Sequence, residues 1–285
     1  NLAMAEDGRE AEVGADVHTP TPLSGATFNG IVRADGRVGT RNYIGVLTSV
    51  NCSATVARRI ADAFPDASLP KGVDGVVAFT HQGGCGGSSL SSDTTLLQRT
   101  LAGYARHPNF HSILIVGLGC EANQIPAWLA NEGLEAGPTL RALTIQEAGG
   151  TARAIEAGIE VVRELVAEAA KVERQPVSAS HLTVGLQCGG SDGWSGVTAN
   201  PALGAAVDLL VAHGGSAMLS ETPEIWGAEH LLLRRAASPE VADRLNARLE
   251  WWRAYADKHG MELNNNPSPG NLKGGLTTIL EKSLG

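Results

Sequence analysis

From Tyr43 onward, short and continuously apolar runs alternate with helical stretches. Tyr43 to Val50 is the first run, followed by Asn51-Cys52-Ser53 and the helix-like segment 54–64. Val73 to Thr80 is the second, followed by HQGGCGGSS (81–89) and a helical stretch from about Asp93 to Ala105. Ser112 to Gly117 leads into Leu118-Gly119-Cys120-Glu121 and a further helical stretch, and Leu143 to Gln146 into a long helix from Thr151 to about Glu173. Strands buried on both faces lack polar alternation. Their alternation with helices predicts βαβ units and a parallel sheet.

A polar link over residues 174–180 precedes a second series, with strands at Leu182 to Gln187 and Ser216 to Ser220. Helices are expected there over Ala202 to Ala212, Ala228 to Ala237 and Pro239 to Lys258. The expected fold is therefore α/β: two Rossmann-like parallel-sheet units with helices on both faces, over residues 28–175 and 176–285. Residues 1–27 mix acids and prolines without hydrophobic period and read as a linker or tail. Ahead of the first core strand, Asp35-Gly36 marks a small turn.

The length of 285 residues agrees with two compact units. Apolar residues at 43% and charged residues at 18% describe a chain able to bury a core. The 35 glycines imply many tight turns or close backbone approaches to ligands. A net charge of −8 argues against a nucleic-acid partner, which would need lysine and arginine to displace phosphate counterions. No signal-peptide core or apolar run of spanning length stands out, so a cytoplasmic location without a membrane partner is expected. Widely spaced cysteines in that compartment are more often free, catalytic or metal-binding than disulfide-bonded.

Ligands of open parallel sheets bind beyond the carboxyl ends of the strands. Cys52, His81 with Cys85, Cys120 with Glu121, and Cys188 all follow an apolar run directly. A buried cysteine is often only a small hydrophobe, but four at strand ends point to shared chemistry. Imidazole and thiolate suit first-row transition metals. The loop at 81–89 also offers backbone N–H groups to an anion, although it lacks the Lys-Ser/Thr ending of a P-loop. In LQCGGSDGWSGVTANP (186–201), Ser191, Asp192 and Ser195 are either substrate contacts or ordinary turn residues. Glu221 follows a strand-like run, whereas Glu224 and Glu229 read equally well as helix-start charges. NNNPSPGNLKGG (264–275) is a polar loop holding Asn264 and Lys273.

Taken in order, RADGRVGTRNYIGVLTSVNC (33–52), FTHQGGCG (79–86), GLGCE (117–121), LQCGGSDGWSGVTANPALG (186–204), SETPEIWGAEHLL (220–232) and NNNPSPGNLKGGLTTILEKSLG (264–285) resemble the altronate/galactarate dehydratase family. The resemblance implies a hydro-lyase that turns an aldonic or aldaric acid into a 2-keto-3-deoxy acid. It further implies Fe2+ as cofactor, with Mn2+ or another divalent ion as substitutes, and a small N-terminal domain as well as a further C-terminal segment in the complete protein. A homo-oligomer is compatible with it. On this basis His81, Cys85 and Glu121 are candidate catalytic residues, and Cys52, Cys85, Cys120 and Cys188 candidate metal ligands. Ser191, Asp192, Ser195, Glu221, Asn264 and Lys273 are candidate substrate contacts. The rivals are a (2R)-sulfolactate sulfo-lyase, a non-catalytic thiol or metal-binding module, and an iron–sulfur protein, whose clustered cysteine runs are absent.

Overall fold

The computed structural model describes residues 12–18, 20–88, 91–263 and 267–285. The chain divides into two compact units. One covers Phe28–Val177, and the other joins Ser178–Gly285 to the N-terminal segment ending at Thr27.

The first unit is organised by a parallel sheet of β3 (Tyr43–Thr48), β4 (Gly75–Phe79), β5 (Phe110–Gly117) and β6 (Leu140–Thr144), in the order β4-β3-β5-β6. Its helices are α1 (Ala54–Asp62), α2 (Ser92–Ala105), α3 (Ile125–Asn131) and α4 (Thr151–Ala169). On one face, Val56, Ala57 and Ile60 of α1 and Ala154, Val162 and Leu165 of α4 pack on Ile44, Val46, Leu114 and Val116. On the other, Leu101 of α2 and Ile125, Trp128 and Leu129 of α3 pack on Leu47, Ile113 and Ile115. Each such fully buried aliphatic or aromatic side chain contributes about 1.5–3 kcal/mol. The sheet is thus covered on both faces, as its unbroken apolar runs require. α1 and α4 approach closely because Gly158 has no side chain: a Cβ there would lie 2.2 Å from Ile60 Cδ1.

A smaller sheet, ordered β2-β1-β7, joins β1 (Thr27–Val32) and β2 (Val38–Gly39) to β7 (Gln175–Ser178). β1 and β2 pair antiparallel. The turn between them uses Gly36 at φ +83° and Asp35 Oδ1, which accepts from the Arg37 amide at 3.0 Å.

The second unit is built on the two strands expected from its sequence. β8 (Thr183–Leu186) and β9 (Ser216–Leu219) form a two-stranded parallel pair, connected through a π-helical turn (Ser195–Ala199) and α5 (Asn200–Ala212). α6 (Glu229–Arg234), α7 (Pro239–Lys258), α8 (Pro269–Lys273) and α9 (Ile279–Ser283) complete it. The described part of the segment before Phe28, expected as a linker or tail, is tied to this unit by specific bonds. The Leu23 amide donates to Ala212 O at 2.8 Å, the Ala179 amide to Ala26 O at 2.9 Å, and Arg234 pairs with Asp16. The segment's described residues stay largely exposed, and the contacts that tie them down run through backbone groups and one ion pair, which leave no hydrophobic period in the sequence. Against the expectation from composition, one helical stretch among the described residues, Ser195–Ala212, is long and apolar enough to cross a membrane. It serves here as the crossover between two parallel strands, the usual role of a helix in a βαβ unit.

Candidate functional site

Strand order reverses between β3 and β5, and in open α/β sheets that switch point is where a crevice opens at the carboxyl edge. Three loops meet along this rim. The Asn51 amide donates to Gly83 O at 2.8 Å, and the Ala122 amide to Cys85 O at 3.0 Å. Asn123 Nδ2 donates to Ser49 O at 2.9 Å. Across the switch point itself, Ser49 Oγ donates to Glu121 Oε1 at 2.5 Å.

Glu121 is 3% exposed. Its carboxylate also accepts from the Leu118 amide at 3.1 Å and the Gly119 amide at 2.6 Å. Burial alone would raise its pKa, but the hydrogen bonds from Ser49 and from those amides outweigh it and hold the carboxyl below its ordinary range. Gly117 leaves room for this group, since a Cβ there would stand 2.7 Å from Glu121 Oε1. Such a carboxylate organises the loop and is a weak proton acceptor.

His81 is clamped at both nitrogens. The Gly83 amide donates to Nδ1 at 3.0 Å, while Nε2 lies 3.2 Å from Thr48 O and donates to it. Burial pushes its pKa down, with the Thr48 bond opposing in part. The imidazole is therefore neutral near pH 7. Cys52, Cys85 and Cys120 are free and exposed on this rim. Among the described residues no three His, Cys, Asp or Glu side chains are grouped to hold a metal ion. The rim thus brings its thiols to one edge without gathering them on one point.

The second unit holds a cleft of about 900 Å³ lined by Cys188, Glu221, Glu224 and Lys282 together with apolar residues such as Leu186, Leu203, Val207 and Leu219. That volume lies within the usual range for small-molecule sites. Cys188 follows β8 and Glu221 follows β9, so the parallel pairing sets them side by side: the Cys188 amide donates to Glu221 Oε2. Lys282 Nζ donates to Cys188 Sγ at 2.6 Å and pairs with Glu224 Oε2. Lys282 is 8% exposed. Burial would lower its pKa, but the bonds to Cys188 and Glu224 raise it above that of an ordinary lysine.

Ser191 belongs to this cluster, with its hydroxyl 3.4 Å from Cys188 Sγ and its carbonyl accepting from Asn271 Nδ2 at 2.8 Å. Asp192 and Ser195 shape the turn that follows. The Trp194 amide donates to Asp192 Oδ1 at 2.9 Å and the Asp192 amide to Ser195 Oγ at 3.0 Å. Lys273 is exposed in the last turn of α8. Asn264 lies outside the described residues. Lys282 is not among the residues the sequence points to, and Glu224 reads there equally well as a helix-start charge. The available signal was Lys282 three residues after Ile279, on the buried side of a short helix.

A close backbone crossing holds Lys282 in place. A Cβ on Gly196 would lie 1.6 Å from Glu281 O. Gly196→Ala is expected to push α9 off the π-helical turn, at a cost of about 1–3 kcal/mol. Hydrogen exchange of the Leu284 amide, now bonded to Leu280 O at 3.1 Å, should accelerate at least about tenfold. Exchange in β3 should stay unchanged, and equal protection of Leu284 would rule the contact out.

Fold and cleft define an α/β protein whose second unit holds a cleft of small-molecule size beyond its strand ends. Residues 179–285 match the family described as D-galactarate/altronate dehydratase, C-terminal, and residues 30–170 match D-galactarate dehydratase/altronate hydrolase, second domain. The chain belongs to the D-galactarate/altronate dehydratase family. It is 39% identical over 254 residues to altronate dehydratase of Escherichia coli strain K12, covering 89% of this chain and 50% of that one. Galactarate dehydratase (L-threo-forming) of the same organism is 39% identical over 272 residues, covering 93% and 52%. The beta subunit of (2R)-sulfolactate sulfo-lyase of Chromohalobacter salexigens is 33% identical over 268 residues, covering 92% and 64%. The chain spans about half the length of the two dehydratases.

Proposed function

We propose that this chain carries the acid site of a hydro-lyase that removes water from an altronate- or galactarate-type sugar acid and yields a 2-keto-3-deoxy acid. The observation supporting this reading is the cleft wall, where the carboxylates of Glu221 and Glu224 and the buried ammonium of Lys282 line a space of small-molecule size. It lies in the region that matches the family's C-terminal domain.

Dehydration takes the proton from the carbon beside the acid's carboxylate. The C–H electron pair becomes the new carbon–carbon double bond as the next carbon releases its hydroxyl, and the resulting enol tautomerises to the ketone. Glu221 is the proton acceptor in this reading. The Cys188 amide holds one of its oxygens and so orients the group, leaving the second oxygen for the proton. Carboxylates on the wall also accept bonds from sugar hydroxyls. Ser191 belongs to the same cluster, while Asp192 and Ser195 keep the turn in shape, and Glu121 and His81 order the rim of the other unit.

A ferrous or other divalent ion would supply Lewis-acid polarisation of the acid's carboxylate. The exposed thiols of Cys52, Cys85 and Cys120 are the soft donors on the rim, but no three donors converge among the described residues. The described residues as placed therefore do not fit a metal, and no step above is derived through one.

The test is a panel of altronate, galactarate and sulfolactate offered to the full-length protein. A 2-keto-3-deoxy acid from either sugar acid is expected. Sulfite released from sulfolactate alone would favour the lyase of the third relative, and no product from any of them would sink the reading.

A further inference from the structure

A sugar acid needs a cation for its carboxylate, and Glu221 and Glu224 on the same cleft wall would otherwise repel it. Among the described residues two cations line that cleft, Lys282 and Arg235. Arg235 is exposed, whereas Lys282 is 8% exposed. An ammonium has three donors. Cys188 Sγ and Glu224 Oε2 take two of them, which leaves one for a ligand.

The backbone around Lys282 is fixed before any ligand arrives. Asn200 Nδ2 donates to Lys282 O at 2.8 Å, and Ser283 Oγ donates to Trp226 O at 2.8 Å. Gly196 lies against the preceding carbonyl. Burying an ammonium costs several kcal/mol unless its partners compensate. Two acceptors and a rigid backbone therefore hold a charge ready at the cleft wall, and preorganisation of this kind favours ligand affinity.

We propose that Lys282 is the carboxylate anchor of this cleft and makes it prefer a sugar acid over the neutral polyol of the same carbon skeleton. This assignment rests on the dehydratase reading and adds the residue that selects for charge. Glu224 is the counter-ion that positions the ammonium.

The experiment is calorimetric titration of full-length protein with galactarate, altronate and galactitol, alongside measurement of keto-acid formation. Lys282→Met is expected to weaken binding of the acid that the wild type binds by roughly 10- to 100-fold, the loss typical of a charged hydrogen bond. Galactitol binding should not change, and Lys282→Arg should retain most of the preference. A purely structural lysine would instead lower affinity for both ligand classes together.

If Lys282→Met fails to fold, the double variant Lys282→Met/Glu224→Gln removes the orphaned charge. It should fold and still lack the preference for acid. Either methionine variant, folded and preferring acid as the wild type does, overturns the anchor, and so does a folded Lys282→Arg protein without preference. Failure of the wild type to form keto acid while it binds acid overturns the dehydratase reading alone. A wild type that binds neither acid overturns both.

Discussion

Glu221→Gln in the full-length enzyme is expected to lower kcat by roughly 10²–10⁴-fold, the usual contribution of a positioned general base. Glutamine has the same shape and keeps an oxygen for the Cys188 amide that Glu221 Oε2 now accepts. The strand ends should therefore stay in place. What the substitution removes is the ability to take a proton. KM should change little, because the carboxylate anchor on α9 is untouched, and a kcat loss at near-constant KM marks an interaction made in the transition state. Steady-state keto-acid formation from altronate or galactarate measures it. A variant with more than about a tenth of wild-type kcat would remove Glu221 from the proton-transfer role, since even the lower bound of that contribution is about 100-fold.

The rim and the cleft differ in how far sequence alone revealed them, for a physical reason. β3, β4 and β5 are apolar on both faces, so their runs stand out and place Cys52, His81, Cys85 and Cys120 at strand ends without reference to any other segment. β6 starts at Leu140, earlier than its apolar run shows, because Arg141 interrupts the pattern. β7 (Gln-Pro-Val-Ser) was legible only as a polar link. It is a strand because β1 offers it an edge, and pairing of that kind leaves no periodicity behind. α8 and α9 have five residues each, too few for a helical period to emerge over the 11–18 residues such a signal needs.

The site shows the same division. Glu221 was legible because it directly follows a strand. Lys282 was not, since its meaning depends on Cys188, 94 residues earlier in the chain. Lys273 attracted attention as the one lysine in a conspicuous polar loop, yet the capping box of α8, between Ser268 and Asn271, turns that loop into a helix with Lys273 exposed at its end. Asn271, from the same loop, is the residue that reaches the cluster, through Ser191 O.

Glu121→Leu is expected to destabilise the first unit by about 3 kcal/mol, because a donor left unsatisfied on burial costs about 1–3 kcal/mol. The Ser49 hydroxyl is buried and loses its acceptor outright, while the Leu118 and Gly119 amides are half-buried and recover part of theirs from water. At roughly 2–4 °C per kcal/mol for a protein of this size, Tm should fall by roughly 6–12 °C. The carboxylate also makes stability depend on pH. Its folded pKa lies below the ordinary value, so the unfolded chain binds the proton more readily and stability rises with pH through that interval. The stabilisation is complete above about pH 4.3, the unfolded value, and disappears as the pH falls through the depressed folded value. Urea unfolding of wild type between pH 6 and pH 3 should therefore show a loss on acidification that the leucine variant lacks at this position. Parallel pH profiles for the two proteins would mean that Glu121 does not fold as a charged loop organiser.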